Sequence, residues 1–173
     1  MQTSELVELK KSIHEESWKP AYKFLPDLIQ KFNLKVGAEI GVAFGGHSEA
    51  ILSNTNLELL YGIDSYQHSD SYDDPMNLPQ ADFDILCETM KNRLAVFGDR
   101  FRLIRSDSQQ AIGQIDGLLD FVYIDAEHSY QGVWQDLCTW YSKIRVGGLI
   151  SGHDYGHIAF PGVKQAIDEF FRG

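Results

Sequence analysis

Cysteine and long apolar runs are scarce in this 173-residue chain, and each scarcity excludes a class of protein. The two cysteines, Cys87 and Cys138, lie far apart, which excludes a disulfide framework and predicts buried thiols in a reducing compartment. No apolar stretch approaches the roughly 20 residues that a membrane-spanning helix needs. Residues 1–11 are polar and mixed in charge, unlike a secretory leader. We therefore expect a cytoplasmic location.

Basic residues are also in the minority. The chain has 15 lysines and arginines against 25 aspartates and glutamates, which gives a formal net charge of −10. Nucleic acids and anionic membrane surfaces are bound through basic patches, so we expect neither as the main partner. A small molecule, with or without a divalent cation, fits this composition better. The apolar content of 43% is ordinary for one compact domain of this length.

Glycine is concentrated just behind the apolar stretch 36–40. The small residues of this turn are Gly41, Ala43, Gly45 and Gly46, and a helix-like segment follows them. Glycine is needed where the backbone turns sharply or where a Cβ would collide with a ligand, and the helix start directs free N–H groups into the cleft. The pattern predicts a loop that binds a nucleotide-type ligand. A glycine-rich turn that binds nothing is the alternative at this point.

The next apolar run, 58–64, ends in an acid. Asp64 lies 23 residues beyond Gly41. In a doubly wound sheet, this spacing places a carboxylate at the carboxyl end of the neighbouring strand, where it can accept both hydroxyls of a ribose. The leading interpretation is therefore a ribose-bearing cofactor.

Apolar periodicity alternates between strand and helix along the rest of the chain. It predicts strands at 36–41, 58–64, 100–105, 118–125 and 147–153, and helices at 46–54, 81–96, 108–114, 130–143 and 161–171. This alternation predicts an α/β fold, a Rossmann-like doubly wound, mainly parallel sheet with helices on both faces. We expect residues 1–35 to form a helical N-terminal cap, with helices at 4–16 and 22–32. Residues 36–173 would form the ligand-binding part of a single structural domain.

The segment 65–79 follows neither period and is long for a connection in an α/β unit. It is rich in polar and aromatic residues and contains two prolines. A lid over the substrate and a solvated insertion without a role are both consistent with this composition.

Four acids, Glu39, Asp64, Asp107 and Asp125, lie at or just beyond the ends of predicted strands. Open α/β sheets bind ligands at that edge, so a neutral or cationic ligand is expected there. A sulfonium nucleoside carrying an amino acid satisfies this condition. Asp125 and Asp154 would stand on adjacent strands, and two carboxylates that face one small space relieve their repulsion by taking a proton or by binding a cation.

The chain resembles a known family through an ordered series of motifs. They are Glu39-x-Gly41-x-Ala43-x-Gly45, Gly62-Ile63-Asp64, Ser106-Asp107-Ser108, Leu119 to Asp125, Asp125-Ala126-Glu127-His128-Ser129-Tyr130, Gly147 to Tyr155 and Pro161-Gly162-Val163-Lys164. Together they look like the class I S-adenosylmethionine-dependent methyltransferases, and the later motifs look like the family 24 type. That type is similar to the metal-dependent sugar O-methyltransferases of macrolide biosynthesis. The resemblance runs from about residue 36 to the end of the chain.

The resemblance assigns roles to individual residues. The cofactor residues would be Glu39, Gly41, Gly45, Asp64, Ser65, Asp107, Ser108 and Asp125. The first three would surround the methionine part of S-adenosylmethionine, Asp64 would hold the ribose with Ser65 beside it, and Asp107 with Ser108 would meet the adenine.

The metal ligands implied by the resemblance are Asp125, His153 and Asp154, for magnesium or manganese. Relatives usually carry an acid or an amide where His153 stands, so this residue departs from the pattern. An imidazole ligand favours manganese, iron, nickel or zinc, whereas magnesium stays open if His153 lies outside the coordination sphere.

His128 lies three residues after Asp125, where an imidazole could take the proton of an attacking hydroxyl. The catalytic residues are therefore predicted to be His128 and Asp125, and the expected reaction is O-methylation of a small hydroxylated molecule, with or without assistance from a metal. Two alternatives stay open. Gly41-x-Ala43-x-x-Gly46 and Asp64 also satisfy the looser pattern of an NAD-dependent oxidoreductase, and a non-catalytic binding protein could use the same fold.

Methyltransferases of this class normally finish with an antiparallel strand pair, which is missing after the helix predicted at 161–171. The strand that ends near Asp154 would then be an exposed edge of the sheet. The alternatives are a truncated chain, an edge that is completed in another way, partial disorder, and pairing with a second copy of the chain, which would give a homo-oligomer.

Overall fold

The computed structural model describes residues 21–71 and 74–172, together with residues 5, 7, 8, 10 and 11. The five separate residues near the N-terminus are helical. The rest of the helix predicted at 4–16 lies outside the described residues. The helix predicted at 22–32 is present as a short 3-10 turn, Ala21–Lys23, followed by helix α1, Phe24–Phe32.

Five parallel strands form a single sheet. They are β1 (Val36–Ile40), β2 (Leu59–Ile63), β3 (Phe101–Ile104), β4 (Leu119–Ile124) and β5 (Ile144–Gly152). Their order is β3-β2-β1-β4-β5, and every neighbouring pair is parallel. The chain therefore winds outward from β1 in both directions, which confirms the predicted doubly wound fold. The carboxyl ends of β1 and β4 meet at the point where the winding changes direction, the usual ligand edge of such sheets.

Helices cover both faces of this sheet. After α1 they are α2 (Gly46–Asn54), α3 (Gln80–Leu94), α4 (Ser108–Ala111), α5 (Tyr130–Tyr141) and α6 (Pro161–Arg172). A 3-10 segment, Ala95–Arg100, follows α3, and another, Ile112–Gln114, follows α4. The helix predicted at 108–114 is thus a single α-helical turn continued by a 3-10 turn.

The core lies on both sides of the strands, as expected for a parallel sheet whose strands are nearly continuous in apolar residues. On one face Val122 packs with Leu137 and Trp140 of α5. On the other face Phe121 packs with Ile29 of α1 and with residues of α2. Adjacent residues of β4 therefore pack into opposite layers, which fixes the register of the strand.

The last strand departs from the sequence prediction because it begins at Ile144, three residues early. Leu119 lies opposite Ile144, whereas Phe121 already lies opposite Leu149, so β5 contains a bulge. Gly147 adopts φ 77° within it, and the next residue, Gly148, has no space for a Cβ beside the backbone of β4. Gly147 and Gly148, which the sequence prediction placed at the start of the strand, therefore lie in a bulge inside it.

Within the described part of the chain, β5 pairs with β4 alone, and its other edge is unpaired. The described helices include none that is long and apolar enough to cross a membrane.

Candidate active site

The loop between β1 and α2 is shaped by residues with positive φ. Gly41 has φ 89°, and a Cβ there would overlap the carbonyl oxygen of Asp125. Only glycine can therefore occupy this position, because any side chain would separate β1 from the end of β4. Ala43 and Gly45 also have positive φ, 47° and 74°. The predicted turn is thus present at the switch point of the sheet.

Asp64 holds this loop in place. One of its carboxylate oxygens accepts hydrogen bonds from the backbone N–H groups of Val42 and Ala43, both at 3.0 Å, and the other accepts from Tyr66 N at 2.9 Å. Burial raises the pKa of Asp64, and these three hydrogen bonds partly oppose the rise. Each carboxylate oxygen has two lone-pair positions, so Asp64 keeps acceptor capacity for a ribose hydroxyl.

Glu39 is almost fully buried, at 2% exposure, below the same loop. Its carboxylate accepts a hydrogen bond from the Ser48 hydroxyl and lies 2.8 Å from His47 Nδ1. The His47 ring lies 5.2 Å from Tyr22 and 4.3 Å from Tyr123, centroid to centroid. In the sequence, a role for His47 on the cofactor side or at the helix start had no support beyond its place directly after the glycines.

A cleft of about 370 Å³ opens at the carboxyl ends of β2 and β3. Its lining residues are Ser65, Gln67, His68, Gln80, Arg105, Ser106 and Asp107. Two predicted cofactor residues, Ser65 and Asp107, therefore face one space. Arg105 was not predicted there, although its position directly after a strand could have indicated it; its guanidinium lies 2.6 Å from the carboxylate of Asp84, which balances its charge.

Ser108, the second residue predicted to meet the adenine, is engaged by α5. Its hydroxyl donates to Asp136 and accepts from Trp140 Nε1 at 2.8 Å. Asp107 caps α4 by accepting from Gln109 N at 2.9 Å. The side chain of Ser108 is thus part of the contact between α4 and α5.

Asp125, His128 and Asp154 converge just beyond the carboxyl ends of β4 and β5. Each offers one donor atom, and the three atoms lie within 4.8 Å of one another. His128 Nε2 lies 3.0 Å from Asp154 Oδ2 and 3.5 Å from Asp125 Oδ1. The predicted meeting of the acids that follow β4 and β5 therefore occurs in the fold, with the predicted base between them.

Asp154 is buried in an unusual state. Its side chain is 5% exposed and its backbone has φ 59°. Burial acts to raise the pKa of Asp154, but hydrogen bonds from His128 and His153 prevail and hold it well below its usual range. Within the described residues Oδ1 of Asp154 has no hydrogen-bond partner. A buried, ionised oxygen without a partner is costly, and a bound cation would satisfy it.

His153 lies on the other side of Asp154, with Nδ1 3.1 Å from Oδ2. This hydrogen bond raises the pKa of His153. Among the described residues, the group of side chains close enough to share one metal ion is Asp125, His128 and Asp154. The predicted ligand His153 lies next to this group and is not part of it. Two carboxylates and one imidazole fit a divalent cation, and the nitrogen donor suits manganese, iron or zinc better than magnesium.

The segment 65–79 contributes Asp74 to this cluster. Asp74 Oδ2 lies 3.3 Å from His128 Nδ1, and its side chain is 5% exposed. Its other oxygen accepts from Met76 N at 2.7 Å, and Phe160 stacks on the His128 ring at 4.3 Å between ring centroids. Through Asp74 the segment therefore reaches the site, although other residues of it, such as Asp70, are exposed. Sequence analysis gave Asp74 no role because its contact depends on the path of this connection.

Comparison with known proteins agrees with the geometry. The O-methyltransferase of Bacillus cereus, solved in complex with SAH, has a TM-score of 0.70 at 14% identity over 99% of this chain and 79% of that one. A Staphylococcus aureus protein described as a caffeoyl-CoA O-methyltransferase has a TM-score of 0.65 at 18% identity, over 95% of this chain and 81% of that one. TomG of Streptomyces achromogenes, solved with SAM, has a TM-score of 0.63 at 14% identity over 89% and 69%.

No curated protein matches the chain. A family model described as a methyltransferase domain, family 24, matches residues 35–155, which include the glycine loop, both halves of the sheet and the carboxylate–imidazole cluster. The resemblance seen in the sequence motifs is thereby confirmed: the chain belongs to this family of methyltransferases.

Proposed function

We propose that this protein is an S-adenosylmethionine-dependent O-methyltransferase that acts on a hydroxyl of a small molecule. The observation that carries the proposal is the cluster of Asp125, His128 and Asp154 beside a glycine loop at the switch point of the sheet. Membership of the methyltransferase family supports the reaction type. Structural neighbours that hold SAH or SAM support the cofactor.

The cofactor would be held by Glu39, Gly41, Gly45, Asp64, Ser65, Asp107, Ser108 and Asp125. The absence of a side chain at Gly41 lets the loop approach the end of β4 closely, and the cleft that Ser65 and Asp107 line is the space for the adenosine. When bound, the cofactor supplies a methyl group on a positively charged sulfur, which is already activated as a leaving group. The buried acids around the loop suit this cation.

Asp125 and Asp154 would hold a divalent cation, with the imidazole of His153 next to them. The unpartnered oxygen of Asp154 is the structural support for this part of the proposal. Bound there, the cation would lower the pKa of an acceptor hydroxyl. An acceptor molecule that carries two neighbouring hydroxyl groups fits such a site.

His128 would take the proton of the acceptor hydroxyl. Asp74 lies beside Nδ1 of the ring and Phe160 packs on its face, so Nε2 is directed toward Asp125 and Asp154. To act as a base, His128 would carry its proton on Nδ1, beside Asp74, and would keep Nε2 free of both a proton and the cation. Nε2 would then take the hydroxyl proton as the oxygen–methyl bond forms and the carbon–sulfur bond breaks, with the electron pair left on the sulfur. Because this displacement needs no covalent enzyme intermediate, positioning provides most of the rate.

The cheapest experiment compares ligands by thermal shift and calorimetry. We expect SAH to raise the melting temperature and to bind with one site per chain, because a ligand that binds only the native state stabilises it. NAD serves as the matched control, since it shares the adenosine and would occupy the same cleft in an oxidoreductase. Stabilisation by NAD alone, or by neither compound, would end the proposal.

A further inference from the structure

Asp136 is a buried carboxylate that the proposed reaction does not use. It lies on α5 with 2% exposure. One of its oxygens, Oδ1, accepts from the Ser108 hydroxyl and from Gln109 Nε2, the latter at 3.1 Å. Trp140, one turn further along α5, donates to the same Ser108 hydroxyl at 2.8 Å. Two residues of α5 thus hold the first turn of α4 through three hydrogen bonds.

These hydrogen bonds connect Asp136 to the cofactor cleft through two adjacent residues of the chain. Asp107 precedes Ser108 directly and lines the cleft. Its carboxylate accepts from the backbone of Gln109, whose side chain is held by Asp136. A shift of the Ser108–Gln109 turn would therefore move Asp107. The helix α4 is only four residues long, so its own backbone hydrogen bonds cannot fix this turn.

The charges around Asp136 make it a poor choice for stability alone. The groups that face it are neutral donors of Ser108 and Gln109 from α4, Trp140 on α5, and the acids Asp107 and Glu127. Burial above all, together with the two acids, raises the pKa of Asp136 to about 6. An amide oxygen would accept the same two hydrogen bonds without the cost of a buried charge. A carboxylate that costs stability near a ligand cleft is typical of a functional position.

We propose that Asp136 is a positioning residue for the adenine side of the cofactor cleft: its charge strengthens the hold on Ser108 and Gln109, and cofactor affinity therefore depends on whether Asp136 is ionised. This inference depends on the proposed cofactor site, because Asp136 itself touches no cofactor atom. The ionised carboxylate makes charge-assisted hydrogen bonds, which are stronger than those to a protonated acid or an amide. Cofactor affinity should therefore fall as the pH drops through the range in which Asp136 takes its proton.

The test is calorimetric titration of the full chain with SAH between pH 5 and pH 8. We expect the wild-type affinity to fall about fivefold toward pH 5, and Asp136→Asn to bind about fivefold more weakly at pH 8 with little dependence on pH. Asp116→Asn, which removes the same charge from an exposed position, should retain wild-type affinity and pH dependence. Gln109→Met, at an exposed side chain, should weaken SAH binding without removing a charge.

The outcomes separate two failures. If wild-type protein takes up no SAH at any pH, both the cofactor site and the role of Asp136 are wrong. If wild-type protein binds SAH and Asp136→Asn binds it equally well at every pH, the positioning role alone is wrong. If Asp136→Asn changes the melting temperature but leaves the SAH affinity unchanged, the positioning role is also wrong, because Asp136 then affects only the stability of the fold. Should Asp136→Asn not fold, unchanged SAH affinity in Gln109→Met would overturn the proposal.

Discussion

At the scale of single residues, His128 is the most constrained side chain of the site. Carboxylates from three separate parts of the chain surround its ring: Asp74 at 3.3 Å from Nδ1, and Asp125 and Asp154 at 3.5 Å and 3.0 Å from Nε2. Phe160 stacks on its face. Such a ring cannot reorient without breaking several contacts, which is the pre-organisation that a proton acceptor needs.

We expect His128→Gln to reduce the rate constant of methyl transfer by about 10² to 10⁴, the range that general bases contribute. The affinity for SAH should stay within about twofold of wild type, because His128 is not among the predicted cofactor residues. Steady-state kinetics with an identified acceptor, combined with SAH calorimetry, measures both. Unchanged methyl transfer would exclude His128 as the base.

Asp154 gives a second prediction at this scale. Asp154→Asn keeps the size of the side chain and removes its negative charge, so we expect the affinity for Mn²⁺ to fall more than about tenfold. Calorimetry or the paramagnetic resonance signal of free Mn²⁺ measures this loss. Asp70→Asn is the matched control, since Asp70 is a fully exposed acid of the segment 65–79. Equal Mn²⁺ affinity in the two variants would argue against the metal site.

At the scale of elements, the contact between α4 and α5 depends on the charge of Asp136. Because the folded-state pKa, about 6, lies above the ordinary 3.8, the folded state holds the proton more tightly than the unfolded state. The stability that protonated Asp136 contributes to the wild-type protein is therefore fully present below pH 3.8 and is lost as the pH rises through about 6. We expect Asp136→Asn to raise the free energy of unfolding by up to about 3 kcal/mol at pH 8 and to give almost no gain at pH 4. Urea denaturation at the two pH values measures this difference, and a gain that is the same at both would contradict it.

Elements were predictable from the sequence wherever an apolar run ended at a glycine or an acid. Asp64 and Asp125 marked the ends of β2 and β4, and parallel pairing then placed their carboxylates at one edge. The start of β5 was missed because Gly147 resembles a strand boundary although it lies in a bulge. Asp74 and Asp136 were missed for another reason. Their partners, His128 and Ser108, are distant in sequence, and no local pattern indicates such contacts.

At the scale of the whole molecule, one edge of β5 is not paired with any strand among the described residues. Val146 of this strand is fully exposed, and Ile158, in the connection after it, is 95% exposed. Unpaired strand edges with apolar side chains pair readily with other strands. We propose that two copies of this chain associate through β5.

We expect Val146→Lys to shift the mass measured by light scattering from dimer to monomer, because a buried lysine at the pairing edge is costly. Val96→Lys is the matched control, as Val96 is 81% exposed in the 3-10 segment after α3. A wild-type mass equal to one chain, 19.6 kDa, would exclude this association.

The close approach of Gly41 to the carbonyl of Asp125 has a consequence for how the two halves of the site communicate. The loop that would bind the cofactor is in close contact with the end of β4, which would bind the cation. Binding of either ligand should therefore change the affinity for the other. Thermodynamic reciprocity requires that the two affinities change by the same factor. Titrating SAH with and without Mn²⁺ measures this linkage, and identical affinities would mean that the two halves fill independently.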